Sequence, residues 1–489
     1  MHFIPQQDRY QMTFMSSLDD LVPPDHPVRI IDAIVDSILS ASPEKFEYKG
    51  RRQIGRRAYG PGTLLKLYLY GYFNGVSSSR KLEVETYRNI EVIWLLGHLC
   101  PDHKTISDYR KDCRDHIAFV TREFRRFLKD KGYIKGQRVA IDGTKVKANA
   151  NRDMLTMAKI RKRLKKVESS LEGYLKQLEG NDAYDDIVDE HDLGSMEDEG
   201  TNKVLLDKII QLQRELETLK DQEQILQESE RSSLSPADPD ARLMKSQGGM
   251  IPAYNVQVAV DGENKMIAAS EVRTEASDLG LIKEMVDTVT EEIGRPPSEV
   301  LADRGYCNVD QIEEVEKNGD TTCYIPEPET SRTKEKLRFR YDREKSEYVC
   351  PMDKRLVLIQ RNKLKHKSLA DVYRGIECEG CPIRSACTRS GRGRTIHRYH
   401  NQVWRDAYRE RMKSNMSRGK ASLRKGMVEH PFGTMKYWMG MIPLLLRGRE
   451  KVQTEMNIYA TVYNLKRLMN IEPVENLREL IGNYEWGIA

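Results

Sequence analysis

The chain has 489 residues, of which 32% are charged and 39% hydrophobic, and its formal net charge is +5. This length exceeds what one compact core supports, so about three domains are expected at roughly 150 residues each. The sequence contains no apolar run long enough to cross a membrane, and its start lacks the apolar core of a secretory signal. These features exclude a membrane protein and predict a cytoplasmic location without membrane partners.

Residues 1–135 are predicted to form a helical N-terminal domain that binds DNA. Apolar residues between Leu64 and Phe73 and between Ile90 and Leu96 predict two of its helices. The segment 101–110 (PDHKTISDYR) predicts a turn followed by a short polar helix. A helix-turn-helix of this kind would present four side chains to a DNA groove: Lys104, Ser107, Arg110 and Lys111. A helical hairpin that serves only packing is an equally good interpretation.

Two short apolar segments each end at an aspartate. The segments 138–144 (RVAIDGT) and 300–306 (VLADRGY) predict buried strands that deliver Asp142 and Asp303 to their C-terminal edges. A single aspartate at a strand end is more often a turn former or a helix cap than a ligand. A pair of such strands is more informative, because carboxylate oxygens are the ligands that Mg²⁺ prefers.

A third acid, Glu429, lies in a segment without strand alternation. Arg424, Lys425 and Lys436 recur around it at helical spacing, so a helix is expected to carry it. Region 416–489 is accordingly predicted to hold a catalytic helix followed by the C-terminal helices. Three acids from two strands and one helix would suit a pair of Mg²⁺ ions.

The region between the first two acids changes its periodicity. Residues 136–153 are predicted to contain the first catalytic strand, and 154–235 an inserted antiparallel helical arm with coiled-coil spacing. An acidic, glycine-containing connector from Asp182 to Glu199 would join its two helices. Residues 236–328 alternate strand and helix patterns, which predicts an α/β core built on a mixed sheet. The predicted strands are 253–261, 265–272, 300–303 and 321–325, and the predicted helices are 279–289 and 309–316.

Residues 329–415 are predicted to form a Cys-rich, basic insertion before the last catalytic helix. It contains a cysteine group with a Cys-x₂-Cys knuckle: Cys350, Cys378, Cys381 and Cys387. In a cytosolic protein such a group favours Zn²⁺ over disulfides, and a set of unligated thiols is the alternative. From Arg384 to Lys425 the chain is also rich in arginine, which favours contact with nucleic-acid phosphates over a merely solvated surface.

Together these motifs resemble those of the DDE transposases of bacterial insertion sequences, in particular the IS1182-like group within the broader IS4/IS5-type set. The resemblance covers nearly the whole chain. It rests on 3–8 (FIPQQD), 24–27 (PDHP), 101–107 (PDHKTIS), 142–145 (DGTK), 238–244 (DPDARLM), 254–261 (YNVQVAVD), 303–306 (DRGY), the cysteine group and 428–436 (VEHPFGTMK).

The resemblance implies an RNase H-like catalytic domain in which Asp142, Asp303 and Glu429 bind two Mg²⁺ or Mn²⁺ ions. Such families carry a Tyr-x₂-Arg-x₃-Glu-x₆-Lys signature, which Glu429 and Lys436 match. Lys425 stands at the arginine position with Arg424 beside it, and Ser422 replaces the tyrosine. This departure leaves the triad intact but weakens a direct transfer of the DNA contacts attributed to that tyrosine and arginine.

The implied activity is cleavage at the ends of an insertion sequence and joining of those ends to target DNA. The implied partners are double-stranded DNA, as terminal inverted repeats and as target, and a second copy of the chain in the DNA complex. The enzyme would be nucleoid-associated when acting. Two alternatives remain: a non-catalytic zinc-containing DNA-binding protein, and an RNase H-like nuclease without strand transfer.

Overall fold

The computed structural model describes residues 17–48, 58–151, 154–188, 198–229, 231–246, 249–327, 339–365 and 368–487, without the side chains of 178–203. The motif at 3–8 and much of the acidic connector lie outside the described residues. Where they are described, the elements follow the expected mixture of helices and strands.

The N-terminal part is helical, as predicted. Asn89 caps one helix by accepting the N–H of Glu91, and Asp102 caps another by accepting two N–H groups. Gly97, with φ of 57°, ends the helix that Asn89 begins. The helices are α1 (Val28–Ala41), α2 (Pro61–Phe73), α3 (Ser79–Arg88), α4 (Ile90–Leu96), α5 (His103–Asp112) and α6 (Arg114–Asp130).

After strand β1 (Arg138–Lys147) come two long helices, α7 (Met157–Val188) and α8 (Asp198–Glu228). They run antiparallel, because Arg161 of α7 pairs with Glu223 of α8 while the Nζ of Lys208 lies over the Tyr174 ring. Apolar side chains fill the seam between them: Ile160, Leu164 and Val167 from α7, and Leu212, Leu216, Leu219 and Leu226 from α8. The chain leaves the sheet after β1 to form these two helices, and it returns to the sheet with the next strand.

The mixed sheet that was predicted is present. Strand β3 pairs antiparallel with β1, β2 and β4, whereas β1, β5 and β6 are parallel to one another. Its order is β2-β3-β1-β5-β6, with β4 also on β3. The elements are β2 (Arg242–Ser246), β3 (Gly249–Asp261), β4 (Ile267–Arg273), α9 (Ile282–Ile293), β5 (Glu299–Leu301), α10 (Val309–Glu316) and β6 (Thr322–Tyr324).

A second, antiparallel sheet occupies the cysteine-rich region, for which the sequence predicted no strands. Tyr348, Leu356 and Tyr373 form its small core. Its order is β11-β10-β9-β8-β7. The elements are β7 (Arg340–Asp342), β8 (Glu347–Val349), β9 (Arg355–Lys365), β10 (Ser368–Gly375), the helical turn α11 (Arg384–Cys387) and β11 (Thr395–Tyr399).

The C-terminal region is helical, and the helix predicted around Glu429 is present. Its elements are α12 (Gln402–Lys413), α13 (Asn415–Gly433), a π-helical turn (Thr434–Trp438), α14 (Arg449–Met469) and α15 (Val474–Gly482). Helix α14 packs against α2, α6 and β4. One continuous cluster of buried side chains therefore runs from the N-terminal helices into the mixed sheet. Among the described residues, no helix is long and apolar enough to span a membrane.

Candidate active site on the mixed sheet

Asp142 and Asp303 lie on neighbouring parallel strands at matching positions. Ala140 of β1 is in register with Leu301 of β5, and each aspartate follows two residues later. Because side chains alternate along a strand and adjacent strands are about 4.8 Å apart, this register places the two carboxylates side by side on one sheet face. One expectation needs correction: Asp142 is not at the C-terminal edge of β1, which continues to Lys147 in its pairing with β3.

Asp303 begins a short 3₁₀ turn, and its Oδ1 accepts the N–H of Gly305 at 2.7 Å. Asp142 is more enclosed, and burial raises its pKa to about 6. The guanidinium of Arg424 opposes this rise, and the nearby charge of Asp303 adds to it. The two acids are therefore close enough to repel each other, which is the condition that a bound cation relieves.

Arg424 comes from α13 and forms an ion pair with Asp142, with Nη1 2.9 Å from Oδ2. Lys436, on the π-helical turn after α13, donates a hydrogen bond to the Thr144 hydroxyl on the same face of β1. Burial lowers the pKa of Lys436, and the charge of Asp142 counteracts that effect. Two basic side chains thus border the acid pair.

Glu429 lies on α13 between Arg424 and Lys436, and its side chain is exposed to solvent. Among the described residues, no three or more His, Cys, Asp and Glu side chains are grouped in a way that could hold a metal ion. The structure thus brings two of the three predicted acids together and leaves the third at the rim.

We call the surface of β1 that carries Asp142 and Thr144 the front face, and the surface that carries Gly143 and Lys145 the back face. On the back face, one oxygen of Asp278 accepts hydrogen bonds from Lys145, Asn255 and Gln257 at 2.7–2.9 Å. The Tyr306 hydroxyl donates to the Gln257 side chain and completes this network, in which Asn255, Gln257 and Tyr306 are buried and Asp278 and Lys145 are partly exposed.

Sequence reasoning missed the back-face network. Its only signal is the alternation of Asn255 and Gln257 with apolar residues in β3. Polar residues at alternate positions of a strand ordinarily indicate a solvated face, yet both side chains are fully buried.

The four N-terminal residues expected to contact DNA divide into two groups. Lys104 and Lys111 are exposed on α5, and Ser107 is half-buried. Arg110 is buried, and its Nη1 donates to the Tyr72 hydroxyl and to the Ser77 carbonyl. The structure therefore does not present Arg110 to a DNA groove, because leaving would break both of these hydrogen bonds.

The arginine-rich segment is also only partly available to phosphates. Arg405, Arg409 and Arg411 of α12 form ion pairs with Asp310, Glu327 and Glu316 respectively, which attach this helix to the mixed-sheet region. The side chains left exposed to solvent include Arg389, Arg392, Arg418 and Lys425.

The four predicted zinc ligands line one cavity beside the second sheet: Cys350, Cys378, Cys381 and Cys387. The Sγ of Cys350 accepts the N–H groups of Met352 and Lys354, both at 3.4 Å. Gly380, with φ of 72°, makes the tight turn of the Cys-x₂-Cys knuckle. Burial raises the pKa of Cys387, Arg394 counteracts this, and the other three cysteines reinforce it.

Two family models match the chain. Residues 349–469 match a model described as "Transposase DDE domain", and residues 16–112 match one described as "Transposase domain (DUF772)". The resemblance to DDE transposases is thereby confirmed. The transposase matches include Glu429 and Lys436 but neither aspartate, and their descriptions do not separate groups of insertion sequences. No curated protein and no solved structure matches the chain.

Proposed function

We propose that the chain is a DNA transposase that cuts the ends of an insertion sequence and joins them to target DNA. The observation that carries this proposal is the side-by-side placement of Asp142 and Asp303 on parallel strands, in a chain with two transposase domains. In the strand order β4-β3-β1-β5-β6, the first three strands pair antiparallel and β1, β5 and β6 pair parallel, which is the arrangement expected of an RNase H-like domain.

In this proposal the chemistry depends on Mg²⁺ or Mn²⁺ held by Asp142 and Asp303, with Glu429 as a further ligand. Two such ions would supply an activated nucleophile and a stabilised leaving oxygen. The residues fit this group, because Asp142 and Asp303 are close and mutually repelling, and one guanidinium, that of Arg424, pairs with Asp142. Glu429 would reach the site by a rotamer change or a shift of α13, since it is solvent-exposed on that helix.

The proposed reaction has two parts. Hydrolysis of a phosphodiester bond at the element end leaves a 3′-hydroxyl on that end. This hydroxyl then attacks a phosphodiester of the target, so that one bond forms and one breaks without an external energy source. Lys436, which borders the acid pair, would hold a phosphate near the scissile bond. Two DNA ends must be joined together, so a homodimer is proposed for the DNA complex, which would form in the cytoplasm at the nucleoid.

The test uses duplexes that contain the inverted repeats flanking the coding region, incubated with the full chain and Mg²⁺. The proposal expects metal-dependent cleavage at the repeat ends and products in which these ends are joined to a plasmid. Cleavage without joined products would identify a nuclease instead. Sequence-specific binding with no cleavage in Mg²⁺ or Mn²⁺ would support a non-catalytic DNA-binding protein.

We also propose that the four cysteines beside the second sheet bind a structural Zn²⁺ ion. Support comes from their shared cavity, the two N–H groups directed at the Cys350 sulfur and the glycine turn of the knuckle. Four thiolates are a common closed ligand set for Zn²⁺. The four sulfurs are not grouped as a metal site as they stand. Binding would draw them into a tetrahedron and stabilise a sheet whose own core is small.

Elemental analysis of the purified chain tests this second proposal, with one zinc ion per chain as the expected result. Cys378→Ser and Cys381→Ser should lose the ion and lower the melting temperature. Cys100→Ser, in the N-terminal helical region, is the matched control and should retain zinc. A wild-type chain that stays metal-free after refolding with zinc would contradict the proposal.

A further inference from the structure

Arg424 is paired with Oδ2 of Asp142, one of the two carboxylate oxygens that a metal ion could use. Its Nη1 is 2.9 Å from Oδ2, and both side chains are largely enclosed, with 16% of Arg424 and 22% of Asp142 exposed. Among the ion pairs of the described residues, this pair involves a member of the proposed triad. The contact is therefore placed at the centre of the site.

A guanidinium and a divalent ion cannot share this position. Both need the lone pairs of Oδ2, and their positive charges repel each other across the site. Arginine cannot lose its proton in a protein, so proton release cannot relieve the conflict. A metal ion can bind Oδ2 of Asp142 only if the Arg424 side chain moves away.

The surroundings of Arg424 indicate where the side chain can go. It is carried by α13, on which Arg418 and Lys425 are exposed to solvent. Lys436 borders the other side of the acid pair. A DNA strand at this site would bring phosphates to the same basic edge, and the planar guanidinium binds phosphate oxygens in a bidentate manner.

We propose that Arg424 is a built-in counter-ion of Asp142, which divalent metal displaces and which then binds a phosphate of the DNA end. The inference rests on the proposed function and adds the order in which metal and DNA bind. Binding free energies of two ligands at linked sites are reciprocal, so DNA that holds Arg424 strengthens metal binding, and metal strengthens DNA binding. The free chain consequently binds metal weakly. It takes up metal when it is bound to a DNA end.

The first experiment measures Mn²⁺ binding to the full chain without DNA, by the electron paramagnetic resonance signal of free Mn²⁺. Arg424→Gln should bind Mn²⁺ about tenfold more tightly than wild type, within the usual range of coupling between linked ligands. Arg424→Lys keeps the charge and should stay near wild type, which separates loss of the ion pair from misfolding.

Lys425→Gln is the matched control, because it removes the same charge from the next, exposed position. Its effect on Mn²⁺ affinity acts only through the long-range field and should vanish at about 1 M KCl, where the screening length is about 3 Å. The tightening by Arg424→Gln should persist there, since direct competition is not screened. Equal Mn²⁺ affinities for Arg424→Gln and Lys425→Gln would overturn the inference.

Asp142→Asn separates this inference from the proposed function. If Asp142→Asn removes Mn²⁺ binding while Arg424→Gln fails to tighten it, the metal site stands and the counter-ion role is refuted. If Asp142→Asn leaves Mn²⁺ binding unchanged, the metal site at Asp142 is itself refuted.

A DNA-binding arm completes the test, using Ca²⁺ as an oxygen-liganded ion. In Ca²⁺ the salt dependence of binding to a repeat-end duplex should be steeper for wild type than for Arg424→Gln, by about one phosphate contact. Without divalent ions the two slopes should agree, because Asp142 then holds the arginine. A slope difference that is the same with and without Ca²⁺ would contradict the exchange.

Discussion

The two faces of β1 hold their carboxylates in different ways. On the back face, Asp278 receives three hydrogen bonds from side chains, and Gly143 leaves just enough room for the amide groups that donate two of them. On the front face, Asp142 has one arginine, a nearby Asp303 and a raised pKa.

This difference separates a structural acid from a candidate ligand. A carboxylate whose hydrogen bonds are satisfied by neighbouring side chains stabilises its surroundings and has little capacity left for a metal ion. A desolvated carboxylate beside a second acid is held at a cost in free energy, which is characteristic of functional sites. The front face is therefore where chemistry is expected, and the back face is where the strand is fixed.

The largest effect should come from neutralising acids on each face in turn. Asp142→Asn, Asp303→Asn and Glu429→Gln should each lower DNA cleavage by more than about 10³-fold, because metal ligation contributes several kcal/mol to the transition state. Gel-shift assays should still detect binding to the repeat ends. Asp278→Asn removes the same charge behind the strand and should keep most of the cleavage, while losing about 1–3 kcal/mol of folding stability. If Asp278→Asn lowered DNA cleavage as much as the other three substitutions do, the two faces would not differ in function.

A second effect concerns the pH dependence of stability without metal. The pKa of Asp142 is raised from 3.8 to about 6, so the folded chain favours the protonated acid. The stability of wild type relative to Asp142→Asn should therefore be highest below pH 4 and fall by up to about 3 kcal/mol as the pH rises through 6. Urea unfolding in EDTA measures this difference. If the difference in unfolding free energy stayed constant across that pH range, the pKa of Asp142 would not be raised in the folded chain.

The smallest effect tests how tightly the back face is packed. A Cβ at Gly143 would lie 2.1 Å from the Gln257 amide nitrogen and 2.9 Å from the Asn255 oxygen. Gly143→Ala should therefore cost about 1–3 kcal/mol of folding stability. Gly426→Ala, on α13 with nothing within 4 Å, should instead stabilise by about 0.5–1 kcal/mol. A stable Gly143→Ala chain would show that the back-face network can rearrange.

The sequence predicted the two aspartates better than the network behind them. Apolar runs that end in Asp-Gly and Asp-Arg-Gly are local signals, so the strands at Asp142 and Asp303 could be located directly. The Asp278 network depends on the register between β1 and β3 and on a loop that precedes α9. Such long-range pairing leaves no local pattern that distinguishes Asp278 from an ordinary loop acid.

Two further differences have the same origin. Arg110 has the composition of a groove-binding residue, and only the packing of α5 on α2 shows that its side chain is enclosed by Tyr72 and Ser77. The second sheet was missed because Arg and Lys interrupt the apolar alternation of β9, and Asp371 and Arg374 interrupt that of β10. Charged side chains are common on exposed strands, yet in sequence they look like a basic loop.

The most direct test of a metal site on the front face is an anomalous difference map from crystals of the chain bound to a repeat-end duplex in Mn²⁺. The expected result is a peak at bonding distance from carboxylate oxygens of both Asp142 and Asp303, with Arg424 withdrawn from Asp142. An Mn²⁺-saturated complex with no peak between these two residues, and Arg424 still paired with Asp142, would contradict it.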